Sequence, residues 1–193
     1  MFTLGFHEDL VIRRLTFKAA RPGEPILVFT AEPLVGGVER AFSALRDYCG
    51  RVGLSEPALV TLPSDDVPEA LLKARAVVAR LPEPVVAELG GGMRYLLVVV
   101  FTALLLEHKS FELYVAHEGG ASELYMPSGV LRALRGLSEE KMKLLKAIAA
   151  RPGSSVETLA RMLDKSPKTI RNHLTELKKM GLVASSGRGA PLR

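Results

Sequence analysis

The chain has 193 residues, 48% of them hydrophobic and 24% charged, with a formal net charge of +5, a balance typical of a globular protein of one or two domains. The single cysteine, Cys49, excludes a disulfide framework and a cysteine-based metal site within one chain. The longest apolar run, residues 95–106, falls well short of the roughly 20 residues of a membrane-spanning helix, and acids stand where a signal peptide carries positive charge. We therefore expect a cytoplasmic protein with no membrane partner and no metal site.

The charge is distributed unevenly along the chain. Residues 1–137 contain 14 Lys and Arg against 16 Asp and Glu, whereas residues 138–193 contain 12 against 5. A basic tail on a near-neutral body is typical of a nucleic-acid-binding module joined to a domain of another kind. The predicted boundaries are residues 1–127 for the body, 128–137 for a short basic linker and 138–193 for the tail.

The body repeats a unit in which an apolar strand is followed by an amphipathic helix. The predicted strands of these units are residues 1–6, 25–29, 57–62 and 85–89. Four such units predict a doubly wound, mainly parallel sheet, because parallel strands need crossover helices and continuous apolar strands need both faces covered. A fifth strand at 111–117 and an antiparallel partner at 122–126 are predicted to close the sheet as a β-hairpin. The predicted fold class is therefore α/β, with a small, mostly α-helical domain after it.

The fourth strand is followed by a glycine-rich loop, Gly90, Gly91, Gly92, Met93 and Arg94. A strand that enters a helix through glycines leaves N–H groups unpaired where the helix macrodipole favours negative charge, and a guanidinium beside them suits a phosphodiester. The loop lacks the GK[ST] ending of a P-loop, and Tyr95 stands where a dinucleotide fingerprint needs its third glycine. The alternative is that the glycines only allow the strand and the helix to pack closely.

Two further loops follow strands at the same edge of the sheet, where ligands of doubly wound folds bind. Their candidate ligand-binding residues are Gly5, Phe6, His7, Thr30 and Glu32. His7 is the one candidate base near the strand ends, and Glu32 could assist it. Because these two residues make no convincing acid–base pair, we predict no catalytic residues.

The tail is predicted to contain three helices and a short wing. Ser138 precedes the first helix, a capping box of Ser154 and Glu157 precedes the second, and Ser166 caps the third. The turn before Ser166 has the three to four residues of a helix-turn-helix unit. Leu182 and Val183 are predicted to begin the strand of the wing.

The third tail helix buries Ile170, Leu174 and Leu177 and presents a polar, basic face. The second helix of a helix-turn-helix unit enters the major groove, where Arg can pair with guanine and Asn with adenine. Arg171 and Asn172 are therefore the predicted base readers. The predicted DNA-binding residues are Ser166, Lys168, Thr169, Arg171, Asn172, Thr175, Lys178 and Arg188. The alternative is a solvated basic face on a protein-interaction domain.

Motifs along the whole chain resemble those of the CRISPR-associated transcriptional regulators of the CARF (CRISPR-associated Rossmann fold) and winged-helix type. They are LGF at 4–6, LPEPVVAELGGGMR at 81–94, and EEKMKLLKAI with LAxMLDKSxKTI at 139–170. The resemblance implies a Rossmann-like domain that forms a symmetric homodimer, binds a cyclic oligoadenylate, commonly the tetra-adenylate, and uses no cofactor. It also implies that the ligand tunes the binding of double-stranded promoter DNA near CRISPR loci. Carried onto this chain, the ligand motifs are Gly5 to His7 and Gly90 to Arg94.

Three points stay open at this stage. The same pocket could belong to a ring nuclease, a phosphodiesterase that cleaves cyclic oligoadenylate. The protein could also bind DNA constitutively, with an empty pocket. The apolar helix at 95–106 could cover the sheet, form the dimer interface, or do both.

Overall fold

The computed structural model of the protein describes residues 1–116, 122–134 and 136–184. The chain divides into two compact units, Met1–Met126 and Pro127–Arg193. In the described part of the chain, no helix is long and apolar enough to cross a membrane.

The first unit is built on a sheet of six strands with helices between them. The strands are β1 (Phe2–Thr3), β2 (Leu27–Ala31), β3 (Ala58–Leu62), β4 (Val85–Glu88), β5 (Phe111–Ala116) and β6 (Glu123–Pro127). The helices are α1 (Asp9–Phe17), α2 (Gly36–Val52), α3 (Val67–Val78) and α4 (Arg94–Leu106).

The strand order is β3-β2-β1-β4-β5-β6, and the pairs β1–β2, β1–β4, β2–β3 and β4–β5 are parallel. The predicted α/β fold with a mainly parallel, doubly wound sheet is therefore confirmed. β6 lies beside β5 at the sheet edge, and the predicted turn between them lies outside the described residues. The order reverses between β1 and β4, so their carboxyl ends meet at the switch point of the sheet, where such folds bind ligands.

On two helices of the first unit, a large apolar side chain is exposed to solvent. Phe17 of α1 is 81% exposed. On α3, Ala70 and Ala74 are buried with Val78, whereas Leu72 is 63% exposed. These alanines form the inner face of a helix that packs against α4, and a hydrophobicity pattern gives small residues too little weight.

The second unit has four helices in its described residues: α5 (Ser128–Leu134), α6 (Glu139–Ala150), α7 (Val156–Leu163) and α8 (Pro167–Lys179). The segment predicted as a linker thus contains α5. A Cβ atom at Gly129 of α5 would overlap the Met180 carbonyl oxygen, so α5 packs with its backbone against the end of α8.

The last three helices share one apolar core, formed by Leu144, Ala147, Ile148, Leu159, Ala160, Ile170, Leu174, Leu177 and Val183. The predicted stripe of α8 is confirmed. On α6, Leu144 and Ala147 face the core, whereas Met142 is 39% exposed.

The helix starts in the second unit match the sequence signals with one correction. Ser138 and Ser166 are N-caps as predicted. The cap of α7 is Ser155, whose Oγ accepts from the Thr158 N–H at 3.2 Å. The predicted capping box at Ser154 was wrong, because the Ser154 hydroxyl turns back and donates to the Arg151 carbonyl at 2.9 Å.

The predicted wing strand is not formed at Leu182 and Val183. Within the residues described after α8, which end at 184, the backbone has no strand, and Val183 is buried in the helical core instead. The predicted tip of the wing, with Arg188, lies outside the described residues.

Candidate functional site

The loops that follow β1 and β4 touch each other through their backbones. A Cβ atom at Gly5 would lie 2.8 Å from the Gly92 nitrogen, and one at Gly92 would lie 2.7 Å from the Leu4 carbonyl oxygen. Gly92 also has a φ of +78°, a conformation that L-residues rarely adopt. The structure therefore brings the two predicted ligand motifs together at the switch point of the sheet.

Four side chains of these two loops are exposed next to that contact: Phe6, His7, Met93 and Arg94. Phe6 is 66% exposed and Met93 is 56% exposed, although both are large and apolar. Arg94 is the first residue of α4, one residue earlier than the predicted start of that helix, and Met93 is its N-cap. An aromatic ring, an imidazole and a guanidinium thus lie together at the carboxyl ends of β1 and β4, which we call the strand edge.

The remaining glycines of the loop have a packing reason to lack side chains. A Cβ at Gly91 would overlap the Thr3 carbonyl oxygen, and one at Gly90 would lie 2.9 Å from Glu88 Oε1. The close-packing alternative therefore accounts for these two positions. The side chains that this loop leaves exposed are those of Met93 and Arg94.

The residues at the end of β2 are less available than the sequence suggested. Thr30 is only 2% exposed, so its side chain is not on the ligand surface. Glu32 Oε1 accepts hydrogen bonds from Thr61 Oγ1 at 2.7 Å and from Lys73 Nζ at 3.3 Å. The hydrogen bond from Thr61, and to a lesser extent the one from Lys73, holds the pKa of Glu32 below its ordinary value, so the carboxylate is ionised at neutral pH.

Neither an acid–base pair nor a metal centre forms from the described side chains. No hydrogen bond between residues of the described chain joins Glu32 to His7. The described His, Cys, Asp and Glu residues also form no group of three or more that could hold a metal ion.

A buried ion pair beneath the glycine loop was missed by the sequence analysis. Nε and Nη2 of Arg14 donate to Glu88 Oε2 at 3.0 and 2.8 Å, and Nη2 also donates to Glu123 of β6. The guanidinium lies 3.7 Å from the centre of the Tyr114 ring. Burial disfavours the charge of Arg14, but the hydrogen bonds to Glu123 and Glu88 outweigh it and raise the pKa of this side chain. The available sequence signal was an acid, Glu88, inside an apolar strand.

A groove of about 690 Å³ opens beside the exposed residues of the first loop. It runs from that loop to the first turns of α2, and Phe6, His7, Val35, Gly37, Arg40 and Ala44 are among its lining residues. The sequence analysis assigned no function to the α2 residues of this groove.

The predicted DNA-binding face is present on α8. The side chains of Ser166, Lys168, Arg171, Asn172, Thr175 and Lys178 are exposed, and that of Thr169 is half-buried. The three hydroxyl residues of this face already make local hydrogen bonds. Ser166 Oγ accepts from the Thr169 N–H at 3.1 Å and lies 2.9 Å from Thr169 Oγ1. Thr175 Oγ1 donates to the Arg171 carbonyl at 2.9 Å. The charged and amide side chains are therefore the stronger candidates for base contacts.

One predicted base reader already has a partner within the protein. Nη2 of Arg171 lies 3.4 Å from Glu157 Oε1 on α7, and both side chains are more than 60% exposed. DNA would have to compete with this pair for the guanidinium. His173 is half-buried beside the core, and its Nδ1 has no hydrogen-bond partner among the described residues.

Comparison with known proteins identifies the family. Residues 1–127 match the family described as the Csa3 CRISPR-associated Rossmann-like domain. The chain belongs to the Csa3 family. Csa3 of Saccharolobus solfataricus is 33% identical over 188 residues, which are 96% of this chain and 79% of the relative's length. The name of that relative connects it with a CRISPR locus and provisionally describes it as DNA-binding. Residues 136–192 match a second family, described as HVO_A0114.

Membership of the Csa3 family confirms the resemblance to CRISPR-associated proteins with a CARF domain. The matched residues include both touching loops of the strand edge.

Proposed function

We propose that this protein is a CRISPR-associated transcriptional regulator that senses a cyclic oligoadenylate at the strand edge and binds double-stranded DNA through α8. The observation that carries the proposal is the backbone contact between Gly5 and Gly92, which joins the two ligand motifs into one surface. A basic helix with exposed Arg171 and Asn172 follows in the same chain.

The chemistry of the strand edge suits a nucleotide ligand. A guanidinium such as that of Arg94 binds phosphodiester oxygens, and the exposed ring of Phe6 can stack on a base. The preferred ligand is cyclic tetra-adenylate, the ring that the family resemblance commonly implies, and its two-fold symmetry lets it offer the same surface to each half of a two-fold dimer.

A homodimer also has support from the surface of α4. Val98 is 59% exposed and Leu106 is 44% exposed on this apolar helix. A second copy that covered these side chains would remove them from water.

The DNA-binding role rests on the basic face of α8 and on the name of the S. solfataricus relative. A ligand changes DNA affinity only if it binds one arrangement of the protein better than another. We infer that promoters of CRISPR loci are the targets and that α5, which directly follows β6, transmits the preference.

Calorimetric titration with cyclic tetra- and hexa-adenylate tests the sensor. The wild type should bind one of the rings, and Arg94→Ala should weaken that binding at least about tenfold through the loss of charge-assisted hydrogen bonds. Arg80→Ala is the matched control, because Arg80 is exposed and precedes β4 at the opposite edge of the sheet, and its affinity should match the wild type. A wild type that gives no heat with either ring would overturn the proposal and favour the constitutive DNA-binding alternative.

The same samples test the ring-nuclease alternative. Chromatography of the titrated ring after incubation should show it intact, because Glu32 is engaged by Thr61 and Lys73 rather than poised beside His7. Linear products formed over several turnovers would contradict a pure sensor.

A further inference from the structure

We propose that the ligand site extends from the touching loops onto α2, where Phe6 stacks on one adenine and Arg40 binds the adjacent phosphate. This inference rests on the proposed function and deepens it, since it adds Arg40 of α2, which lies outside both ligand motifs, to Phe6 of the first motif. Such a subsite needs an aromatic ring and a cation in one concave surface.

The position of the Phe6 ring depends on a glycine in the first turn of α2. A Cβ atom at Gly37 would lie 2.6 Å from Phe6 Cδ1 and 3.1 Å from Phe6 Cε1. The ring therefore rests directly on the helix backbone, while two thirds of the residue is exposed to solvent. One side of the ring is held by α2, and the rest is available for stacking.

Arg40 lies on the same groove, one turn further along α2. Its Nη1 would be 3.7 Å from a Cβ at Gly36, so the guanidinium lies along the first turn of the helix, the turn whose Gly37 contacts the Phe6 ring. Arg40 makes no ion pair with another residue in the described ranges, in contrast to Arg14, Arg75 and Arg171. A guanidinium that has no carboxylate partner can bind phosphate without first breaking an ion pair.

The groove has room for part of a nucleotide ring. It has a volume of about 690 Å³, with apolar walls at Val35 and Ala44 and with Glu8 and Arg40 as its charged lining residues. Ligand sites commonly combine apolar walls with a few polar groups that fix orientation. The groove is continuous with His7 of the first ligand motif, so one ring can contact both.

A pair of glycine variants on α2 tests the stacking step. Gly37→Ala should displace the Phe6 ring and weaken binding of cyclic tetra-adenylate about tenfold, the loss expected for one stacked base. Gly50→Ala is the matched control, because Gly50 lies on the same helix and its Cβ would meet nothing within 4 Å, so its affinity should equal that of the wild type. Phe6→Leu should reproduce the loss without changing α2, which keeps the test valid if Gly37→Ala is poorly folded.

A second ring separates stacking from a general structural effect. In a cyclic tetranucleotide with all four adenosines replaced by uridines, every base is smaller and stacks less well on an aromatic ring. The wild type should prefer the all-adenine ring, and Phe6→Leu should reduce this preference. An equal loss for both rings would overturn the stacking role of Phe6.

Arginine variants on α2 test the phosphate step. Arg40→Ala should weaken binding about tenfold and flatten its dependence on salt, because one phosphate contact is lost. Arg46→Ala, on the same helix but lining a neighbouring groove, should bind like the wild type. If the wild type binds the ring and the Gly37, Phe6 and Arg40 variants bind equally well, the subsite is wrong and the proposed function stands. If the wild type does not bind the ring at all, both fail.

Discussion

Arg14 and Glu88 form an ion pair in the interior of the first unit, with side chains that are 4% and 1% exposed. Two hydrogen bonds of 2.8 and 3.0 Å join the guanidinium to a single carboxylate oxygen, Glu88 Oε2. The other oxygen, Oε1, is buried without a partner among the described residues and lies 2.9 Å from the place of a Cβ at Gly90. The pair therefore connects α1 to the base of the glycine loop.

Removing one partner of this pair should destabilise the protein strongly. Arg14→Ala leaves the Glu88 carboxylate buried and without its counter-ion, which typically costs about 3–5 kcal/mol. Urea unfolding of the wild type and the variant measures this difference. The control is Lys143→Ala, which breaks the exposed pair of Lys143 with Glu139 and should not change the midpoint measurably. A similar small effect from Arg14→Ala would show that the buried pair contributes little.

Stability at acid pH should depend on Glu112. Its Oε2 accepts from Lys18 Nζ at 2.5 Å, and this bond is the main reason that the pKa of Glu112 is below its ordinary value of 4.5. A carboxyl with a lowered native pKa stabilises the fold above the unfolded pKa, and the stabilisation disappears as pH falls through the native value.

The stability difference between the wild type and Glu112→Gln should therefore be constant above pH 4.5 and shrink below it. Chemical unfolding at a series of pH values measures this difference. Glu56→Gln is the control, because Glu56 is exposed and has no ion pair with the residues described here, and its difference from the wild type should stay constant. A Glu112→Gln difference that does not change with pH would contradict the assignment.

The base-reading role of α8 predicts different losses for two exposed residues. Asn172→Ala should cost about 1–3 kcal/mol at a specific site and little on random DNA. Lys178→Ala should weaken binding to all sequences alike and reduce the salt slope by about 1. Fluorescence anisotropy on a selected site and on random DNA, at several salt concentrations, separates the two. Equal losses on random DNA from both variants would defeat the assignment of Asn172.

Releasing Arg171 from its internal partner should increase DNA affinity. Glu157→Gln removes the carboxylate 3.4 Å from the guanidinium and also a negative charge beside the predicted DNA-binding face. Because exposed ion pairs are weak, we expect a gain of no more than about fivefold. Glu139→Gln removes the same charge from the exposed pair with Lys143 on α6 and is the control. An unchanged or lower affinity for Glu157→Gln would indicate that the pair orients Arg171 for DNA instead of competing with it.

The sheet and the helices could be predicted from the sequence because their signals are local. Apolar runs such as residues 25–29, ended by turn residues, mark buried strands, and alternation with helices leaves few topologies. Ser138 and Ser166 were identified as caps for the same reason. The cap of α7 was misplaced by one residue because Ser154 and Ser155 are both capable of the role, and only the backbone geometry decides between them.

The parts of the site that the sequence did not reveal depend on distant contacts. Arg14 and Glu88 are 74 residues apart, and nothing local distinguishes their pairing from two separate surface charges. The groove on α2 exists because the loop after β1 turns the Phe6 ring onto Gly37, 31 positions later in the chain. The glycine loop itself was found, but the close approach of Gly91 and Gly92 to the backbone of Thr3 and Leu4 depends on contacts between distant parts of the chain.

Because of that close approach, the residues that hold β1 and β4 together differ from the residues whose side chains are exposed to a ligand. Gly5, Gly91 and Gly92 cannot accept side chains without parting β1 from β4, so their replacement would damage the fold whatever the ligand is. The exposed Phe6 and Met93 carry no such constraint. On the proposed function, substitutions at these exposed positions would change which ring size or base is bound, while the sheet and its glycine contacts stay the same.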